Sequence, residues 1–96
     1  MFLPKFNTQS TVPLGQLVAT PNVMTLIDQR DILRAIYRHR KGDWGEVCPE
    51  DSTANDQALK TGGRLLARFT SSKGVVFWII TEADRSVTTL LLPEEY

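Results

Sequence analysis

Apolar and polar positions alternate most regularly in the last third of the chain, and there they predict strands. From Arg64 to Thr70, Leu65, Ala67 and Phe69 share one face while Leu66 takes the other. Ser71-Ser72-Lys73-Gly74 supplies a hairpin turn, with glycine where the backbone needs a positive φ. Val75 to Thr81 is rich in β-branched and aromatic residues, as befits a central strand covered on both faces. A polar loop from Glu82 to Ser86 leads into a last strand, Val87 to Leu92, which Pro93 stops. That last strand is expected to be a sheet edge able to pair with a second copy.

Upstream, the apolar period lengthens to that of helices. Leu14 to Thr20 reads as a short first strand, and Thr20-Pro21 as a helix start: a hydroxyl cap followed by a proline whose missing N–H costs nothing there. Val23, Met24, Leu26 and Ile27 form the apolar side of a brief helix. Asp28 is placed to cap the next one, with Asp31 in its first turn. Its core-facing stripe is expected to be Ile32, Leu33, Ile36 and Tyr37, with Arg34, Arg38 and Lys41 on another face and Gly42 as the stop. Asp43-Trp44-Gly45 makes a turn, and Cys48-Pro49-Glu50-Asp51 opens a third helix that runs to about Thr61 and ends at Gly62-Gly63. The apolar face of this helix is thin (Ala54, Ala58 and Leu59), which places it at the surface.

The fold class is therefore α+β: an N-terminal short strand and two to three helices packed on a C-terminal three-stranded antiparallel meander, which the first strand could join. Residues 1–13, with Pro4 and Pro13 among polar positions, are expected to be a flexible arm, and 14–96 a single domain. Ninety-six residues suffice for one core and not two. No apolar run approaches the roughly 20 residues that span a bilayer, so no membrane association is expected. The start of the chain lacks the basic-then-apolar pattern of a signal peptide, and Cys48 is its single cysteine, so no internal disulfide forms and a cytoplasmic location is expected.

Net charge is zero, but the charges are not evenly spread. Arg30, Arg34, Arg38, Arg40 and Lys41 crowd one segment against Asp31 alone, and Asp43 to Asp56 holds five acids and no base. Such a balance gives no support to generic phosphate-driven binding, though a local basic patch could contact nucleic acid or an acidic partner.

The polar set His39, Asp43, Arg64, Glu82, Asp84, Arg85 and Thr88 carries the most chemistry. A metal-independent ribonuclease needs a base, an acid and cations for the phosphorane. His39 and Glu82 could be the acid–base pair, and Arg64 and Arg85 the phosphate clamp. Three strands behind N-terminal helices are also the outline of RelE- and barnase-like nucleases, though an outline alone does not assign activity. The competing reading is structural: His39 caps carbonyls at a helix C-terminus, Glu82, Asp84 and Arg85 tie down a loop, and Asp43, Asp84 and Thr88 make a structural polar cluster. A metal site gathered from His39, Asp43, Asp51, Glu82 and Asp84 has no compact ligand spacing, so neither metal nor cofactor is expected. Cys48 beside a proline reads as inert rather than nucleophilic. Trp78 is a sheet-packing residue. Trp44 is either a plug over the helix–sheet junction or an exposed partner anchor, and with Arg34, Arg38 and Lys41 it makes the candidate binding surface.

Three segments carry a resemblance: Leu14-Gly-Gln-Leu-Val-Ala-Thr-Pro21, the Gly42-Asp-Trp-Gly45 turn, and the tail from Trp78 to Tyr96 with Thr81-Glu-Ala-Asp-Arg-Ser86 and Leu91-Leu-Pro-Glu-Glu-Tyr96. Over about 14–96 the chain resembles a family of small proteins encoded on bacterial plasmids and integrative elements. Relatives in that family commonly carry serine and tyrosine where this chain has Ala67 and Phe69, so hydroxyl chemistry there would be lost here. The resemblance implies a mobile-element protein without implying an activity. Together with the absence of a compact catalytic motif, it leads to an expected non-catalytic interaction or regulatory protein acting on a host or plasmid partner, as monomer or homodimer. A toxin-like ribonuclease and a nucleic-acid-binding regulator are the alternatives.

Overall fold

In the computed structural model, which describes residues 12–96, eight elements follow in order. They are β1 (Gln16–Ala19), α1 (Pro21–Leu26), α2 (Gln29–Arg40), α3 (Pro49–Thr61), β2 (Leu65–Thr70), β3 (Val76–Thr81), β4 (Val87–Leu91) and a closing 3₁₀ turn (Pro93–Glu95). The fold is α+β. None of the described helices is long and apolar enough to cross a membrane.

Local chemistry accounts for most boundaries. The Thr20 hydroxyl accepts the Val23 N–H at 3.2 Å and Pro21 opens α1. Asp28 stands at the cap position of α2, yet its side chain makes no capping bond there. Pro49, Glu50 and Asp51 fill the first turn of α3, and Gly62 ends it with φ +88°, a conformation that costs other residues about 1 kcal/mol or more. Gly74 turns the β2–β3 hairpin in the same way.

The strands lie in the order β1-β4-β3-β2. β2, β3 and β4 form the expected antiparallel meander, with Ala67 opposite Ile79 and Ile79 opposite Leu90. β1 joins it in parallel, Gln16 beside Val87 and Ala19 beside Leu90. The sheet is thus mixed, and β4 is an interior strand rather than the expected edge.

Side chains on one face of the sheet, Leu65, Ala67, Phe69, Phe77, Ile79 and Leu90, are at most 2% exposed and meet Val23, Ile27, Ile32, Ala35 and Ala58 from the helices. Burying each large apolar side chain among them is worth about 1.5–3 kcal/mol. Ala67 and Phe69 are core-packing positions. Val12 is also core, and its N–H donates to Arg40 O at 2.7 Å. The anchored domain therefore reaches two residues into the expected 1–13 arm; the remainder of that arm lies outside the described residues.

The helical stripes differ from expectation. On α2 the buried positions are Ile32, Ala35 and His39, whereas Leu33 and Tyr37 are 57% and 59% exposed. On α1 and its C-cap, Val23 and Ile27 point inward and Met24 and Leu26 outward. On α3 the inward residues are Asn55 and Ala58, with Leu59 turned to solvent. Asn55 is inward for a polar reason, since its amide donates to Leu66 O at 2.9 Å and its oxygen accepts Leu66 N–H at 3.2 Å. The side chain thereby imitates a neighbouring strand along the outer edge of β2. Farther along the same edge, Arg68 N–H donates to Trp44 O and Glu46 N–H to Arg68 O. That edge is closed.

Candidate functional site

The last turn of α2 carries His39 into the interior, where it is fully buried. Its Nε2 lies 2.8 Å from Thr81 Oγ1, which lies 2.8 Å from Thr88 Oγ1. The Thr88 hydroxyl is 2.7 Å from Leu14 O. A carbonyl can only accept, so Thr88 spends its proton on Leu14, Thr81 donates to Thr88, and His39 must donate from Nε2 to Thr81. This relay fixes the tautomer. Nδ1 is then an unprotonated lone pair, and among the described residues nothing hydrogen-bonds to it. Burial, reinforced by the charge of Arg85, pushes the imidazole down to about 4, so it is neutral at pH 7.

Trp44 covers His39 edge-on, with ring centroids 5.4 Å apart, and its Nε1 donates to Asp56 Oδ1 at 2.9 Å. At 4% exposure it fills the helix–sheet junction and offers no surface to a partner. Gly45 allows this: at φ +72°, a Cβ on it would sit 2.0 Å from Arg68 O.

The other candidates are distributed by the pleat. Consecutive strand residues face opposite ways, so Thr81 points to the helices and Glu82 away from them. Glu82 N–H still donates to Val87 O, which continues the ladder and the alternation. Glu82 meets Arg64 at 3.6 Å on the outer face. Arg64 also donates to the Tyr96 hydroxyl at 2.7 Å, and Tyr96 packs edge-on against Trp78. Thus the structure joins His39 with Thr81 and Thr88 but puts Glu82 and Arg64 across the sheet from them.

Arg85 is spent on main-chain carbonyls: Gly63 at 2.6 Å, Ala58 at 3.0 Å and Glu82 at 3.1 Å. It closes the C-terminal end of α3 from a left-handed conformation, φ +61°, the only non-glycine residue so placed among those described. Asp84 accepts both the hydroxyl and the N–H of Ser86, and these bonds, the hydroxyl's first, hold its carboxyl below the usual range. Asp43 accepts Arg38 Nε at 2.7 Å and Gly45 N–H at 3.0 Å, with the same effect, led by Arg38. Asp43, Asp84 and Thr88 therefore belong to three separate networks rather than one cluster. Cys48 is an exposed free thiol. No three His, Cys, Asp or Glu residues among those described group closely enough to hold a metal ion.

Of the candidate surfaces read from the sequence, the outward side of α2 is the one that stays exposed. Leu33 and Tyr37, one helical turn apart, stand in the open, with Arg30, Arg34 and Arg40 exposed on the same helix. Lys41 Nζ lies 5.8 Å from the Tyr37 ring centroid. Arg38 stacks over Phe69 at 4.9 Å while pairing with Asp43. Asp31 is occupied by the Ser72 hydroxyl and N–H and sits 3.5 Å from Arg34. A shallow hollow of about 320 Å³ opens beside this face, lined by Asp28, Gln29, Arg30 and Leu33.

Sequence reading missed Thr81 and the outward placement of Leu33 and Tyr37. Thr81 had a signal: it falls on the inward beat set by Phe77 and Ile79. Comparison of the chain with protein-family models, with curated proteins and with solved structures finds no match.

Proposed function

We propose that the chain is a small non-catalytic interaction protein that docks an acidic protein partner on the outward side of α2. One observation carries this reading. The groups equipped for acid–base or phosphate chemistry are buried, spent on carbonyls, or divided between the two faces of the sheet, while Leu33 and Tyr37 stand exposed among basic side chains. Exposed apolar residues ringed by arginine suit a partner helix or loop with its own apolar anchor and carboxylates around it. The likeness of the chain to plasmid- and integrative-element proteins supports placing the partner in the bacterial host or in the element itself.

The test is a titration of the ¹⁵N-labelled protein with a synthetic amphipathic peptide rich in Asp, Glu and Leu. Expected are shifts confined to 29–41, weakening as salt rises, and lost in a Leu33→Ala/Tyr37→Ala variant that keeps its fold. Shifts elsewhere, or none, refute the proposal. Tighter binding of a DNA or RNA oligonucleotide to the same residues would favour a nucleic-acid-binding regulator instead.

A further inference from the structure

The two edges of the sheet are treated differently. β2 is sealed by Trp44, Glu46 and the Asn55 amide. On β1, Gln16 N–H donates to Ser86 O and Thr20 N–H to Leu90 O, so the even-numbered residues face β4. The N–H and C=O groups of Leu17 and Ala19 therefore point away from the sheet, and no partner for them is found among the described residues. Leu17 and Val18 are 50% and 41% exposed. No charge, proline or bulge guards Gln16–Ala19, the usual means by which proteins blunt an open edge.

We propose that β1 pairs antiparallel with β1 of a second copy, about a twofold axis at Val18, to make one continuous eight-stranded sheet. The register follows from which groups are open. With the axis at Val18, Leu17 of each copy lies opposite Ala19 of the other, and these pairs exchange both of their hydrogen bonds. All four outward groups of each strand are satisfied at once. Val18 then faces its own counterpart across the non-hydrogen-bonded position, where Cα atoms approach to about 4.5 Å. On the other sheet face the larger Leu17 lies beside the smaller Ala19, a complementary fit that an arbitrary strand would not supply. The segment is uncharged, so like charges do not oppose the pairing, and the zero net charge of the chain adds no long-range repulsion. An isologous contact of this kind closes on itself and stops at the dimer.

Sedimentation velocity from micromolar to millimolar protein tests the proposal. The expected result is a mass that doubles with concentration in the wild-type chain and stays monomeric in Val18→Lys, which sets two ammonium groups at the axis. Val18 is surface-exposed, and retention of the fold is checked by amide spectra. In a Cys48→Ser background, Val18→Cys should cross-link with oxidised glutathione much faster than Leu17→Cys, because position 17 faces Ala19 rather than itself. A wild-type chain that stays monomeric throughout, a dimer that survives Val18→Lys, or equal cross-linking at both positions overturns the inference.

Discussion

Lowering the pH from neutral charges the imidazole of the unfolded chain well before that of the folded one. His39 is the single histidine, so the effect has one source. In the unfolded chain it takes its proton near the ordinary value of 6.5, whereas inside the fold it does so only near about 4. The folded state thus binds fewer protons between those values, and stability falls as the pH falls through that window. Above 6.5 the contribution is complete; at about 1.4 kcal/mol per pH unit, about 3 kcal/mol is lost by the lower end, of which about 2 kcal/mol is gone by about pH 5. Against a total of about 5–15 kcal/mol for a small domain, that is a large share. The carboxylates held low (Asp31, Asp43, Asp84 and Glu95) lose their contribution only below their ordinary values of 3.8 to 4.5, so the window above about pH 5 belongs to His39.

Urea unfolding at a series of pH values reads this directly, as a midpoint that drops by about 1–2 M between neutral pH and about pH 5. In His39→Gln, whose amide can still donate to Thr81, the slope in this window should vanish even if the variant is less stable throughout. Independently, the ring ¹⁵N shifts of native His39 should show the Nε2–H form at neutral pH and keep it to about pH 5. A ring that titrates near 6.5 in the native protein, a Nδ1–H tautomer, or a flat stability profile refutes the relay.

Two further predictions concern the backbone around this centre. Arg85→Ala strips a charged donor from three carbonyls and should cost about 2–4 kcal/mol in urea unfolding. Arg85→Gly should cost about 1 kcal/mol less than Arg85→Ala, because it relieves the positive φ; equal costs would show that the backbone is unstrained. Gly45→Ala forces a Cβ into Arg68 O and should cost more than about 3 kcal/mol, with altered Trp44 fluorescence. Gly42→Ala, where φ is +84° but no atom lies within 4 Å, should cost only about 1 kcal/mol.

The strands were legible because alternation reports burial directly: Leu65, Ala67 and Phe69 face inward as their spacing requires. The turns were legible because Gly62 and Gly74 stand where only glycine is at ease. Helix α2 misled because Ile32-Leu33 and Ile36-Tyr37 are adjacent apolar pairs, and helical spacing accepts either member as the inner one. The choice was made by His39, a residue that hydropathy counts as polar and that a threonine more than forty positions away makes acceptable inside. That the first strand could join the sheet was open from the sequence, but its parallel direction and its place beside β4 were not legible, since pairing between distant strands leaves no mark on local periodicity. Of the candidate chemistry, His39 and Thr88 both fell within the polar set, but their junction through Thr81 was not readable, and the separation of His39 from Glu82 followed from the pleat only once the ladder was known.

The parallel seam between β1 and β4 also orders events during synthesis. The segment from Leu65 to Leu91 can zip together through neighbouring contacts, but Gln16–Ala19 has no ladder to join until Val87 and its successors have left the ribosome. An uncharged tetrapeptide bearing Leu17 and Val18 therefore waits, unpaired on its β4 side, while the residues between Ala19 and Val87 are made.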